Sequence, residues 1–223
     1  MLGGIEDEHM KAVQEYITCP NLADELIREV RDDCQRVRDL LSASRTLGEM
    51  TVNCLETIVS MGEKLSAKVL CGILKDRGIE AEYLDLSKTT TSLKKHVSQQ
   101  QLYTHVSQKI AAQVRAHDAQ VLVVTGYFGQ VPGGLLNVVG RGYTDLCAVL
   151  LASGLRGSEL QVWKELDGLF TADPRRVRDA RPVRTMSPEE ATELTFYGSE
   201  VINPLAMEQA ARKGIPIAVK GVM

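Results

Sequence analysis

Residues Gly129–Asp145 have the sequence GQVPGGLLNVVGRGYTD, with five glycines, one arginine and one aspartate. The apolar, β-branched run Val121–Thr125 (VLVVT) precedes this stretch and predicts a strand. Thr144–Leu155 (TDLCAVLLASGL) follows with the apolar spacing of a buried helix. The stretch, which we call the glycine loop, therefore joins a strand to a helix, as loops do throughout α/β proteins.

The composition of the glycine loop is typical of an anion-binding site. Glycine permits positive φ angles and close approach of a ligand, and amides at a helix start attract negative charge. Arg141 adds a planar fork that suits a carboxylate or a phosphate. Asp145 would repel a phosphate unless a metal ion or a lysine lies between them, a condition that Mg²⁺ with a nucleoside triphosphate meets. The alternative is a plain surface loop in which Thr144 or Asp145 caps the helix, and neither the Walker motif nor the dinucleotide glycine motif is present.

Length and composition restrict the class of protein to which the chain can belong. The chain has 223 residues, of which 44% are hydrophobic and 25% charged, and this favours one large α/β domain over two small ones. A net charge of −3 without a long basic block argues against nucleic acid or an anionic membrane as a partner. The five cysteines show no CxxC spacing, and no targeting or membrane-spanning segment is evident, so we expect reduced thiols in a cytoplasmic protein.

Helical and strand patterns alternate along the chain. Helices are predicted over Glu6–Ala43 with a break at Pro20, over Gly48–Arg77, Ser98–His117, Pro188–Phe196 with Ser187 as N-cap, and Asn203–Gly214. Besides the strand before the glycine loop, strands are predicted over Ile79–Leu86, Glu159–Lys164 and Ile215–Lys220. This alternation predicts a mostly parallel sheet covered by helices on both faces. Because the chain opens with a helix, we expect the sheet to lack a first strand, as in a fragment or a shortened gene product.

Two further segments are candidates for binding. Ligands of open α/β sheets lie outside the carboxyl ends of the strands, so we expect the glycine loop and the turn-rich segment Asp167–Arg175 (DGLFTADPR) to face one crevice. There Phe170 could contact a base, while Asp173 and Arg175 could make polar contacts; the alternative is an ordinary turn with solvated charges. Glu63, in SMGEKLSA, interrupts an otherwise apolar helix and needs a partner or a ligand, unless it is exposed and paired with a neighbouring lysine.

Taken together, these segments resemble the aspartate kinases, and the fungal enzymes in particular. The match runs in order over nearly the whole chain and includes SMGEKLSA, YLDLS, GRGYTDL, WKELDGLFTADPR and KGIPIAVK, of which GRGYTDL followed by WKELDGLFTADPR is the most specific. The resemblance implies the amino-acid kinase fold, an αβα three-layer sandwich. It also implies a reaction in which ATP, with Mg²⁺, phosphorylates the side chain of L-aspartate to 4-phospho-L-aspartate. That product leads to homoserine, threonine and methionine, or to a secondary metabolite such as a fusaric-acid-type toxin.

The resemblance also implies roles for individual residues, in an enzyme that would form a homo-oligomer. Glu63 corresponds to the glutamate that contacts the substrate amino group, Arg141 to the arginine on its α-carboxylate, and Asp145 to the aspartate near the transferred phosphoryl group. The substrate side of the site would also include Gly142, Tyr143 and Thr144. The nucleotide side would comprise Gly133, Gly134, Lys164, Glu165, Phe170, Asp173, Arg175, Glu200 and Val201. No direct protein ligand to the metal is implied.

The sequence also departs from the family. Aspartate kinases begin with a strand ending in KFGGTS, whose lysine contacts the phosphates; neither this motif nor the following segment with a small hydroxyl residue is found. Without that lysine the reaction would slow about a thousandfold or more. We therefore expect residues 1–223 to form an N-terminally incomplete catalytic domain without the C-terminal ACT domains. Asn203 replaces a common histidine, with no role evident from the sequence.

These departures leave a second hypothesis open. A catalytically impaired fragment or pseudo-kinase could bind nucleotide or aspartate, or pair with a full-length subunit, without transferring phosphate. The feature that distinguishes the two hypotheses is the missing lysine strand, and an activity assay is the experiment that tests them.

Overall fold

The computed structural model describes residues 2–90, 98–165, 168–172, 176–187, 189–191, 193 and 202–222, with the backbone alone at Arg141 and Leu169. The helices are α1 (Leu2–Tyr16), α2 (Pro20–Leu47), α3 (Val52–Val59), α4 (Met61–Asp76), α5 (Gln99–Arg115), α6 (Leu135–Val138), α7 (Tyr143–Leu155) and α8 (Pro204–Lys213). The strands are β1 (Ala81–Leu84), β2 (Val121–Val124), β3 (Leu160–Lys164), β4 (Leu169–Phe170), β5 (Pro182–Val183) and β6 (Ile217–Gly221). A 3₁₀ turn at Gly140–Gly142 lies directly before α7.

Helix boundaries follow local signals that the sequence shows only in part. The predicted break at Pro20 is confirmed, since Pro20 begins α2 and Gly48 ends it in the left-handed conformation. The single helix predicted over Gly48–Arg77 is wrong, because the Thr51 side chain caps α3 and Ser60 separates α3 from α4. None of the described helices combines the length and the apolar composition needed to cross a membrane.

The N-cap predicted at Ser187 is confirmed within the described residues. Ser187 Oγ accepts a hydrogen bond from Glu190 N at 3.2 Å, and Ser187 N donates to Glu190 Oε2 at 2.7 Å. This reciprocal pair is a capping box, which satisfies two amides at a helix start. Residues 188, 192 and 194–196 of the predicted helix lie outside the described residues.

The strands form parallel pairs where the sequence predicted them. β1 pairs in parallel with β2, from Ala81 opposite Val121 onward, and β3 pairs in parallel with β6. The α/β class is therefore confirmed. The antiparallel pair of β4 and β5 lies partly in the segment predicted as a loop, because two-residue strands carry no periodic signal.

The chain divides into two compact units. The first unit comprises Met1–Val97 and Ala112–Val138, and the second comprises Ser98–Ala111 and Val139–Met223. The first unit has a core between α1, α2 and α4, where a Cβ on Gly72 would lie 2.3 Å from Leu26 Cδ1. A larger residue would therefore force the Leu26 side chain to move.

The second unit packs α5 against α7 and α7 against α8. Ser107 Oγ of α5 donates to the Leu150 carbonyl of α7 at 2.8 Å. A Cβ on Gly154 would lie 2.3 Å from the Ser107 carbonyl oxygen, so these two helices are almost in backbone contact. This close packing fixes the second half of α7 against α5.

All five cysteines are free thiols, as predicted. Cys34, Cys71 and Cys147 are buried and Cys54 is half-buried, whereas Cys19 is exposed. Burial raises the pKa of the Cys34 and Cys71 thiols, which keeps them protonated and poorly reactive.

Candidate functional site

In the second unit, a carboxylate and a lysine meet at the start of α7. Asp145 lies in the first turn of α7, and Lys164 is the last residue of β3. Asp145 Oδ1 lies 3.6 Å from Lys164 Nζ, with the lysine side chain 39% exposed. The sequence indicated that Asp145 needs a metal ion or a lysine beside it, and Lys164 supplies the cation.

Asn203, which had no role in the sequence analysis, holds Asp145 from the other side. Asn203 N donates to Asp145 Oδ2 at 3.2 Å, and Asn203 Nδ2 donates to the Val139 carbonyl at 3.3 Å. Its Oδ1 accepts from Leu205 N at 2.9 Å and thereby caps α8. A Cβ on Gly142 would lie 2.4 Å from Asn203 Nδ2, so glycine is required there for the protein's own packing. Asparagine is a favourable N-cap residue, so the sequence could have indicated that Asn203 caps α8.

The other predicted residues of the second unit differ in exposure. Tyr143 is a buried core residue and Thr144 beside it is exposed. Glu165 is exposed just after β3. Phe170 is half-buried in β4, where it pairs with Pro182. Thr144 and Phe170 thus have side-chain surface that a ligand could contact.

In the first unit, Glu63 is fixed by a backbone amide. Glu63 lies in the first turn of α4, where the helix dipole favours a carboxylate. Its Oε1 accepts a hydrogen bond from Tyr127 N at 2.7 Å, and the residue is half-buried. The alternative of an exposed Glu63 is therefore wrong.

Tyr127 also binds a second glutamate that the sequence analysis missed. Glu56 in α3 is only 1% exposed, and its Oε2 accepts from the Tyr127 hydroxyl at 3.2 Å. Its Oε1 accepts from Leu136 N at 3.0 Å, at the start of α6. Glu56 interrupts the apolar stretch Val52–Val59 just as Glu63 interrupts its own, so the same signal could have found it.

The glycines in the first half of the glycine loop serve the fold directly. Gly134 has a φ of 85°, and a Cβ there would lie 2.6 Å from Val52 Cγ1 and 3.1 Å from Glu56 Oε1. Its amide donates to the Val131 carbonyl at 2.9 Å. Gly133 is exposed, with a φ of 87°. A contact of Gly133 or Gly134 with ATP stays a prediction.

A cavity of about 260 Å³ lies where β1 and β2 end. Its lining includes Tyr127, Asp85, Lys64 and Lys88. Polar groups therefore gather at the carboxyl ends of these strands, as expected. Burial raises the pKa of Asp85, but hydrogen bonds from Ser87 and the Lys64 ammonium outweigh burial and hold the pKa below its usual value. Lys64 Nζ lies 3.5 Å from Asp85 Oδ2.

Part of the predicted site cannot be placed. Five of the predicted positions lie outside what the structure describes: the Arg141 side chain, Asp173, Arg175, Glu200 and Val201. Within the part of the chain that is described, no group of three or more His, Cys, Asp and Glu side chains could hold a metal ion. The structure thus brings Asp145 and Lys164 together in one unit, and fixes Glu63 in the other.

The chain belongs to the amino acid kinase family, whose model matches residues 5–221. It is 44% identical over 219 residues to the aspartokinase of Schizosaccharomyces pombe, and 45% identical over 223 residues to that of Saccharomyces cerevisiae. Each match covers 98% of this chain but 42% of the relative. The chain thus spans about two fifths of the length of these curated relatives.

A solved structure of E. coli aspartokinase III in complex with aspartate and ADP has a similar fold. The TM-score is 0.71 at 23% sequence identity, and the match covers 98% of this chain and 53% of that chain. The predicted amino-acid kinase fold is therefore confirmed.

Proposed function

We propose that this protein transfers the γ-phosphoryl group of ATP to the side-chain carboxylate of L-aspartate, giving ADP and 4-phospho-L-aspartate. The identity of 44–45% to two fungal aspartokinases supports the substrate. The observation that carries the proposal is the Asp145–Lys164 pair at the start of α7. A lysine fixed by a carboxylate, beside a helix start, suits a phosphoryl group that is being transferred.

The transfer is a single displacement at phosphorus. A side-chain carboxylate oxygen of aspartate attacks the γ-phosphorus, the bond from this phosphorus to the β-phosphate oxygen breaks, and ADP leaves with the electron pair. No covalent enzyme intermediate forms, because positioning and charge stabilisation suffice for this reaction. Lys164 offsets the negative charge of the equatorial oxygens, and Asp145 holds the Lys164 ammonium in place.

The substrate needs one anion and one cation from the protein. The Glu63 carboxylate binds the ammonium group of aspartate, and its orientation is set in advance by the Tyr127 amide. Arg141 binds the α-carboxylate through its two-pronged guanidinium. A carboxylate for the ammonium group and a guanidinium for the α-carboxylate favour an amino-acid substrate over a simple dicarboxylate.

The nucleotide would lie against the end of β3. Lys164 offers the charge for its phosphates, and the half-buried Phe170 offers apolar surface for its base. Asp145 is a single carboxylate that already binds Lys164, which fits a Mg²⁺ ion held mainly by phosphate oxygens and water. When bound, Mg²⁺ neutralises phosphate charge. The product would supply the route to homoserine, threonine and methionine, or a secondary metabolite.

The test is an assay of the purified chain with ATP, Mg²⁺ and L-aspartate, in which hydroxylamine traps the acyl phosphate as a hydroxamate. We expect hydroxamate with L-aspartate and little with L-glutamate, which is longer by one methylene. Folded protein that forms no hydroxamate above background would refute the proposal for this chain.

A further inference from the structure

The second unit contains a cavity of about 310 Å³ among α5, α7 and α8. Its lining includes Thr104, Gln108, Ser153, Arg156, Gln209 and Lys213, and we call it the helix cavity. Neither Asp145 nor Lys164 lines it. No step of the proposed reaction uses it.

Gln209 contributes a side chain with an amide group to the lining of the helix cavity. The residue is only 4% exposed, and its side chain makes no hydrogen bond with any described residue. Ser107, which also lines the cavity, is already satisfied by the Leu150 carbonyl. The Gln209 amide is thus available to a bound molecule.

Arg156 stands at the cavity in a strained backbone conformation. Its φ of 58° and ψ of 46° are left-handed, and no other non-glycine residue of the described chain has a positive φ. It ends α7 at a position where glycine is the usual residue, although Gly157 follows immediately. Its amide donates to the Ala152 and Ser153 carbonyls, so the left-handed turn closes the helix and leaves the exposed side chain beside the cavity.

The charge at the helix cavity is positive. Arg156 and Lys213 form no ion pair with any residue that the structure describes. Among the described residues the lining contains no Asp or Glu, and Glu208, the acid on α8 beside Gln209, is paired with Arg212 at 2.6 Å. A ligand ammonium would lack a charged partner here, whereas a compact oxyanion would have two cations.

We propose that the helix cavity binds a small molecule through an oxyanion, either a phosphate or a carboxylate. Arg156 and Lys213 bind the oxyanion, and the Gln209 amide hydrogen-bonds another polar group of the same ligand. This site is separate from the Asp145–Lys164 pair and does not depend on the aspartate kinase reaction.

The test is calorimetric titration of the whole chain with inorganic phosphate and, separately, with succinate, each against sodium chloride at equal ionic strength. We expect saturable heat with at least one of the two; which one responds identifies the oxyanion. Arg156→Gly should weaken binding about ten- to hundredfold, as expected for losing a charged hydrogen bond. The same variant should raise the unfolding temperature, because glycine adopts positive φ without strain.

Matched variants locate the binding. Lys213→Gln should weaken binding, whereas Lys109→Gln, which removes an exposed charge from α5 outside the cavity, should not. Gln209→Leu should weaken binding without lowering the unfolding temperature. Saturable heat that Arg156→Gly and Lys213→Gln both leave unchanged would overturn the proposal, as would no saturable heat with either ion. If Lys164→Gln alone abolishes the heat of binding, the anion binds at the candidate active site, and the proposal for the helix cavity is again overturned.

Discussion

At the scale of single residues, the proposed reaction depends on a carboxylate whose two oxygens have different partners. One oxygen of Asp145 faces the Lys164 ammonium, and the other accepts the Asn203 amide. The amide fixes the direction of the carboxylate, so the lysine is held in a defined position. Because the charged groups are already in position, no free energy is needed to reorganise them during the reaction.

Asp145→Asn is expected to lower turnover about 100- to 1,000-fold while the fold is retained. Asparagine keeps an oxygen for the Asn203 amide but loses the charge that holds Lys164. Hydroxamate formation measures turnover, and circular dichroism reports the fold. Asp118→Asn, at an exposed aspartate, is the control and should behave like the unmodified protein. Equal turnover in both variants would refute the role of Asp145.

Glu56 is a second residue whose importance lies in its partners. Glu56→Ala leaves the Tyr127 hydroxyl and the Leu136 amide without an acceptor, which should lower the free energy of unfolding by about 2–4 kcal/mol. Glu56→Gln keeps an oxygen for Leu136 N and should stay within about 1 kcal/mol of the unmodified protein. Urea denaturation measures both values. Similar losses in the two variants would show that charge, rather than hydrogen bonding, is what matters there.

At the scale of elements, the glycine loop has a less uniform role than its composition indicates. α6 and a 3₁₀ turn interrupt the loop, and Gly134 and Gly142 make room for Glu56 and Asn203 of the protein itself. A glycine-rich sequence alone does not separate these packing roles from ligand contact, since both need the same backbone freedom. The strand before the loop and the helix after it were predicted correctly, because their apolar patterns are local.

Gly129→Ala tests the packing role. Gly129 has a φ of 109°, and a Cβ there would lie 2.6 Å from the Ser87 carbonyl oxygen, so we expect a loss of about 2–4 kcal/mol in the free energy of unfolding. Gly4→Ala in α1 is the matched control, because no atom lies within 4 Å of the added methyl group. Alanine favours a helix, so this control should gain about 0.5–1 kcal/mol. Thermal unfolding compares the two, and a neutral Gly129→Ala would contradict the described loop.

At the scale of the whole molecule, acid stability depends on carboxylates that tie elements together. Asp76 at the end of α4 accepts hydrogen bonds from Thr18 N at 2.8 Å, Cys19 N at 2.9 Å and Thr18 Oγ1 at 2.9 Å. These bonds join α4 to the link between α1 and α2, and they hold the pKa of Asp76 below its usual value. Because the pKa is lower in the folded than in the unfolded chain, this contribution is present above the unfolded pKa.

The molecule should therefore lose stability as the pH falls from about 4 through the depressed pKa of Asp76. Asp76→Asn should unfold at a lower urea concentration than the unmodified protein at pH 7, and the difference should shrink as the pH falls through that range. Urea midpoints between pH 7 and pH 3 provide the measurement. A difference that stays constant over this range would exclude Asp76 as a source of the acid sensitivity.

The sequence by itself determined the order of helices and strands, the α/β class and the kinase family, because periodicity, caps and motif spacing are local properties of the chain. The tertiary structure alone decided the partners of the charged groups. Asn203 is 58 residues from Asp145, and Leu136 is 80 residues from Glu56, yet each pair is hydrogen-bonded. Such pairs form only when folding brings distant segments together, and burial then requires each polar group to find a partner. No pattern within a single segment carries that information.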